Sequence, residues 1–262
     1  MMGYVAIVAL AIFAAAEGNA QPGEASLTLR VLTFNIKHGA TMRGDFDLDR
    51  IAGVIRGADP DLVALQEVDV RTRRARDKDI AAELAGRTGL YMAFGKAMPY
   101  DGGDYGVAIL SRFAFESTRR APLPNVGSHE PRVALAGEVM LPGDIPLLFI
   151  STHLEFSSPG ARVAQADHLN ALFGGANSLA ILAGDLNATP ESETLARLKT
   201  QWTLACGDNP APTFPAQEPR IKIDYILYRP ADGWTVRETR VIQEDIASDH
   251  CAYLAVLERV AR

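Results

Sequence analysis

Residues 181–190 read Ile-Leu-Ala-Gly-Asp-Leu-Asn-Ala-Thr-Pro. The short apolar run ending at Ala183 predicts a buried strand, and Gly184 after it predicts a sharp turn. Asp185 and Asn187 would then emerge together at the strand's carboxyl end, where α/β proteins place their chemistry. Thr189 and Pro190, followed by Glu191 and Glu193, predict an N-cap and the first turn of a helix. A carboxylate at 185 can accept a proton or orient a water, and the amide at 187 can donate to a phosphoryl oxygen. Asp and Asn also serve ordinary strand-to-helix turns through their own backbone hydrogen bonds, so this stretch alone leaves both readings open.

The pattern of an apolar run ending in a polar cluster recurs along the chain. Residues 29–36, LRVLTFNI, predict a central strand ending at Asn35, with Lys37, His38 and Gly39 behind it. Asp47 opens a helix whose Leu48, Ile51, Val54, Ile55 and Ala58 share one face, stopped at Asp59-Pro60. DLVALQEVD (61–69) predicts a strand with Gln66 and Glu67 at its end. A carboxylate there is costly unless paired or bound to a cation, which makes Glu67 a candidate metal ligand. Arg71, Arg73, Arg74 and Arg76 follow, as a solvated loop or as contacts to an anionic substrate. Residues 79–88 suit a helix, and 91–105 form an aromatic, glycine-rich segment whose tyrosines belong to core, to a pocket wall or to a membrane surface.

Further on, GVAILSR (106–112) reads as a strand preceded by Tyr105. Arg132 begins another, as a surface ion pair or a phosphate clamp. LLFISTHLEF ends its apolar run at Thr152-His153, and a helix is expected over about 160–173. RIKIDYILYR (220–229) alternates with Asp224 on its inward side, where a buried acid needs a partner. Ser248-Asp249-His250 precedes the last strand and puts a carboxylate and an imidazole in one place.

The 262 residues are 48% hydrophobic, enough to bury the core of one large α/β domain, expected over 28–262. Residues 4–16 are an apolar run, and small residues up to Ala20 predict a signal peptide over 1–20, hence a secreted or periplasmic protein. The absence of Lys or Arg before the run keeps an uncleaved membrane anchor as the alternative. Cleavage would remove one acid, Glu17, and no base, taking the net charge from −6 to −5. A mildly acidic chain has no global attraction to nucleic acid or anionic lipid. Cys206 and Cys251 could form one bridge or stand as two free thiols.

Asn35, Gln66-Glu67, Tyr105-Gly106, Leu110-Ser111, Pro131-Arg132, Thr152-His153, the Gly184–Asn187 motif, Ile223-Asp224-Tyr225-Ile226 and Ser248-Asp249-His250, in that order, resemble the endonuclease/exonuclease/phosphatase superfamily with its deoxyribonuclease I-like fold. The resemblance spans roughly 29–258. It implies a four-layer α/β sandwich, two packed mixed β-sheets flanked by helices, and Mg2+-assisted attack of water on a phosphate ester, with Mn2+ as a substitute. It further implies that Glu67 binds the metal with Asn35 and Asp249 in or near its shell. Asp185 would activate the water, Asn187 and His250 would hold the phosphoryl group, and His153 would act on the phosphate or leaving group. Asp224 would orient a histidine, and Arg132 and Tyr105 would touch substrate. His153 resembles the deoxyribonuclease I, sphingomyelinase and inositol-phosphatase branches, and Lys37 stands where abasic-site repair enzymes carry an Asp. The NIKHG, GGDYGVAILS and EPR phrases resemble exported bacterial members and relatives linked to lipid-anchor processing. The resulting expectation is a metal-dependent phosphoesterase acting on a small or lipid-derived phosphate ester, with a membrane lipid as one form of substrate. A secreted nuclease acting on nucleic acid is the rival, and a binding protein that lost its chemistry comes behind both; no protein partner is implied.

Overall fold

The apolar runs of the sequence become the inner strands of two six-stranded sheets. The structure, a computed structural model, describes residues 27–175, 179–207 and 210–260; the expected signal peptide or anchor at 1–20 lies outside them. The strands are β1 (Thr28–Asn35), β2 (Leu62–Val70), β3 (Tyr91–Tyr100), β4 (Gly103–Ser111), β5 (Phe115–Pro122), β6 (Val133–Leu141), β7 (Ile145–His153), β8 (Leu179–Asp185), β9 (Thr203–Leu204), β10 (Asp224–Arg229), β11 (Trp234–Ile242) and β12 (Ala252–Arg259). The helices are α1 (Leu48–Ala58), α2 (Ile80–Thr88), α3 (Pro159–Phe173) and α4 (Glu193–Leu198). One sheet runs β11-β12-β1-β2-β4-β3 and the other β5-β6-β7-β8-β10-β9. Both are mixed: β1 and β2 are parallel, as are β7 and β8, and the remaining pairs are antiparallel.

Period-two alternation explains the layering. Leu29 and Val31 of β1, with Ile181 and Ala183 of β8, enter the core between the sheets beside Ile109, Phe149 and Leu257. Their neighbours Leu32 and Phe34 face α1 and α2, where Ile51, Ile55, Ile80 and Leu84 pack. Ala180 and Leu182 face α3 and α4, against Leu169, Phe173 and Leu195. Burying each such aliphatic or aromatic side chain is worth about 1.5–3 kcal/mol, and three stacked cores produce the four layers expected from the sequence.

Helix termini obey their capping residues. Asp47 accepts from Arg50 N at 3.0 Å to start α1, and Asp79 accepts from Ala82 N at 3.0 Å to start α2. Asp59 and Gly89 end those helices in left-handed conformations, with φ 46° and 72°. The expected helix start at Thr189-Pro190 is wrong: α4 begins at Glu193, capped by Ser192, whose hydroxyl accepts from Leu195 N. Residues 186–192 are instead a loop pinned by Tyr225, whose hydroxyl donates to the Ala188 carbonyl at 3.0 Å.

Gly184 also departs from expectation. It lies inside β8, where a Cβ would come within 2.0 Å of the Thr152 carbonyl, so the glycine serves close approach of β7 and β8 and makes no turn. β2 runs on to Val70 through a bulge at Gln66-Glu67, and Asp224 starts β10 where the sequence suggested mid-strand. The aromatic segment 91–105 is a hairpin of β3 and β4 turning at Asp101-Gly102, both at positive φ. Cys206 and Cys251 are both free thiols.

Candidate active site

Strand register assembles the polar residues. Parallel pairing of β7 with β8 sets His153 beside Asp185, and antiparallel pairing of β10 with β8 sets Asp224 on its other side. In the facing sheet, parallel pairing of β1 with β2 brings Asn35 beside Gln66. The β2 bulge then gives Glu67 a φ of 54°, leaving the residue out of the ladder and re-aiming its side chain. Asn35, fully buried, joins the sheets: its Nδ2 donates to Glu67 Oε1 at 3.0 Å and to Asp185 Oδ2 at 3.1 Å.

Asp185 lies at the centre, 1% exposed. Its Oδ1 accepts from Asn187 N at 2.9 Å, while Oδ2 lies 3.3 Å from His153 Nε2 and 3.6 Å from His250 Nε2. His250 Nδ1 lies 3.1–3.2 Å from both oxygens of Asp224, which is fully buried with its backbone N–H donated to Thr213 Oγ1. The Phe214 ring closes over the imidazole, centroids 4.7 Å apart.

The two histidines are driven apart electrostatically. Burial disfavours a charged His250, but Asp224 and Asp185 outweigh burial and raise its pKa to about 10, so the ring is a cation at neutral pH. Burial and the Arg132 charge hold His153 neutral, well below the usual imidazole range. Burial pushes Asp185 upward despite the His250 charge beside it, which makes its carboxylate a stronger base. When His153 carries its proton on Nε2 toward Asp185, one Asn187 amide hydrogen donates to the Leu154 carbonyl at 3.0 Å and the other is left for a ligand.

The cleft, about 330 Å³, is lined by Glu67, His153, Asp185, Asn187, Phe214 and His250 together with His38, Arg74, Met98, Tyr100, Tyr105, Glu130, Arg132, Phe156 and Asp249. A larger groove of about 610 Å³ between α1 and β11 gathers no such constellation, and chemistry outranks size here. Most of the charges at the cleft are paired within the protein. Arg132, only 5% exposed, meets Glu130 at 2.9 Å and Glu155 at 3.9 Å. Arg74 makes two hydrogen bonds to buried Asp69, at 2.6 and 2.9 Å, and its guanidinium lies 4.3 Å from the Tyr100 ring centroid. Lys37 Nζ lies 3.2 Å from Asp249 Oδ2.

Glu67 is the exception. Burial favours its neutral form, yet hydrogen bonding to His38 and Asn35 and the His250 charge outweigh that and bring its pKa to about 2. No lysine or arginine pairs with it among the described residues, and His38 Nδ1 stands 3.7 Å from its Oε2. A part-buried carboxylate with no lysine or arginine against it suits a bound metal, and the surrounding oxygen donors without thiolates suit Mg2+ or Mn2+. Asp185, Asp224 and His250 also place one donor atom each within 4.8 Å of one another. There the cationic His250 ring already lies between the two carboxylates, so Glu67 is the better cation ligand.

All ten residues singled out in the sequence lie at or directly behind this cleft: Asn35, Glu67, Tyr105, Arg132, His153, Asp185, Asn187, Asp224, Asp249 and His250. Of the arginine run only Arg74 reaches it; Arg73 pairs with Asp101 and Arg76 stacks on Phe46. The sequence reading missed Glu155, fully buried as the second carboxylate on Arg132, and the apolar wall of Met98, Phe156 and Phe214. An acid two residues after His153 was the available signal for the first. The wall carries none, since its members come from one edge strand, β3, and two separate connections.

The model of the Endonuclease/Exonuclease/phosphatase family matches residues 32–250, and the chain belongs to that family. It is 28% identical over 223 residues to Uncharacterized protein YbhP of Escherichia coli strain K12, covering 79% of this chain and 87% of that one. Among solved structures, an endonuclease/exonuclease/phosphatase from Beutenbergia cavernae superposes with a TM-score of 0.74 at 24% identity, over 88% of this chain and 72% of that one. A mannosyl-6-phosphatase from Bacteroides thetaiotaomicron gives 0.71 at 18%, over 87% and 99%. Family members are hydrolases of phosphate esters, phosphatases or nucleases, that use divalent metals.

Proposed function

We propose that the protein is an exported, metal-dependent phosphoesterase that hydrolyses a small or lipid-derived phosphate ester. The observation that carries this reading is the meeting, across two sheets, of a Glu67 that no lysine or arginine pairs among the described residues, a proton-accepting Asp185 and a cationic His250. Glu67 would hold Mg2+ or Mn2+ with Asn35 and Asp249 beside it. When bound, the metal neutralises phosphate charge and makes water a better nucleophile.

The chain's own residues do the rest. Asp185, held by the Asn35 amide and the Asn187 backbone, takes the proton of the attacking water. His250 donates Nε2–H to a phosphoryl oxygen as charge builds, and Asp224 keeps its ring charged and oriented. Asn187 donates its remaining amide hydrogen to a phosphoryl or leaving-group oxygen, and neutral His153 holds Asp185 in place from Nε2. Arg132 and Tyr105 border the substrate, their polar ends constrained by Glu130.

A nuclease follows several phosphates and needs unpaired cations along its groove. Arg74 and Arg132 are each engaged by protein carboxylates, which favours a substrate with one phosphate group. The test is a Mg2+-dependent screen across DNA, sphingomyelin, phosphatidylinositol and sugar phosphates with the Asp185→Ala protein as blank. Turnover of a small or lipid phosphate above that blank supports the reading. Turnover of DNA alone, falling steeply with salt, replaces it with the nuclease.

A further inference from the structure

Asp249 faces the same cleft as Glu67, yet its surroundings differ. Its Oδ2 is 3.2 Å from the Lys37 ammonium, and its Oδ1 is 3.3 Å from the Ser248 hydroxyl, which donates to the Asn35 carbonyl at 2.7 Å. The single Ser248 hydrogen goes to Asn35, so the Asp249 oxygen with a protein donor is Oδ2, and that donor is the Lys37 ammonium. Glu67 Oε1 has one neutral donor, Asn35, and its Oε2 has only His38, at 3.7 Å.

The approach of Lys37 is built into the backbone. Lys37 adopts a left-handed φ of 46°, a conformation that a side chain with Cβ rarely takes. Its N–H donates to Asn35 Oδ1 at 3.1 Å and its carbonyl accepts from Ala40 N at 2.9 Å. The same amide of Asn35 that holds Glu67 and Asp185 thus fixes the residue carrying the ammonium. Both side chains of the pair are 30% exposed.

We propose that Lys37 is a built-in cation that takes the place of a second metal ion: the cleft binds a single divalent ion, at Glu67, and the Lys37 ammonium neutralises Asp249. The inference rests on the metal-dependent reading above. A divalent ion ligated by Asp249 would stand next to the ammonium, and the repulsion between them excludes it while Lys37 is present. Lys37 is accordingly a positioning residue: it fixes Asp249 beside the metal and makes no contact with the reacting atoms.

The test is the number of Mn2+ ions bound per full-length chain, read from electron paramagnetic resonance of free Mn2+ during titration, with folding checked by thermal melts. Wild type is expected to bind one ion, and Glu67→Gln none. Lys37→Met and Lys37→Gln are expected to bind two, Lys37→Arg one, and the Lys37→Met/Asp249→Asn double variant one again. Two ions in wild type, one of them lost in Asp249→Asn, overturn the inference while leaving the metal-dependent reading intact. A single ion in both neutral Lys37 variants also overturns it. No ion in wild type overturns the metal reading and this inference together.

Discussion

Replacing Lys222 with Met should stabilise the protein at neutral pH. Lys222 is 3% exposed, its Nζ makes no hydrogen bond, and the nitrogen sits 3.1 Å from the Tyr253 ring centroid. Burial lowers its pKa from 10.5 to about 8, although the Asp224 charge works in the opposite direction. The drop corresponds to roughly 3 kcal/mol at about 1.4 kcal/mol per pKa unit, a cost that remains after the attraction to Asp224 has been counted. The sign follows from proton binding. Between pH 8 and 10.5 the unfolded chain holds a proton that the folded chain lacks, so Lys222 makes stability rise with pH across that window. Below pH 8 the full cost applies. His250 acts in reverse, because its raised pKa adds stability that disappears between about pH 6.5 and 10. The measurement is therefore the difference between wild-type and Lys222→Met urea midpoints, converted to free energy, at pH 7 and pH 10.5. Met has a similar volume and fills the same space at small cost. A gain of about 2–3 kcal/mol at pH 7 that shrinks toward zero at pH 10.5 is expected. A variant less stable than wild type at pH 7, or a difference independent of pH, would refute the reasoning.

Three further outcomes are expected. Gly184→Ala should lose more than ~3 kcal/mol in denaturant melts, because its Cβ would stand 2.0 Å from the Thr152 carbonyl and β7 and β8 would have to part; stability within 1 kcal/mol of wild type would remove the close-approach account. Asp224→Asn and His250→Ala should each lower kcat by at least ~10²-fold on a generic phosphodiester, with the far-UV spectrum retained; near-wild-type turnover would exclude the assigned relay. Arg74→Met should raise KM about tenfold with kcat within threefold, because its guanidinium borders the cleft without touching Asp185 or His250; an unchanged KM would place substrate elsewhere.

The central strands and the polar residues at their ends were legible in the sequence for a physical reason. Strands buried on both faces must be apolar until they reach the site, so Asn35, His153 and Asp185 stand out at their ends. Edge strands obey no such constraint. In β5, FESTRRAP, five successive positions are exposed, and β11 is similarly open, so neither carries an apolar signature. The hairpin of β3 and β4 was readable from Asp101-Gly102, a turn pair whose meaning was obscured by the surrounding tyrosines and glycines. Thr189-Pro190 looked like a helix start because local capping chemistry was present. The hydrogen bond from Tyr225, 37 residues away, holds that loop, and such a contact leaves no local trace. Likewise, the bulge that frees Glu67 depends on pairing with β4, and the pairing of Lys37 with Asp249 spans 212 residues.

The most direct test of the assigned centre is hydrolysis of bis(p-nitrophenyl) phosphate by wild type and Asp185→Asn, each stripped with EDTA and then supplied with Mg2+ or Mn2+. Wild-type turnover should vanish on stripping and return with either ion, while Asp185→Asn should stay at least ~10²-fold lower throughout. Full wild-type turnover in EDTA, or an Asp185→Asn protein that turns over as wild type does, would contradict the account.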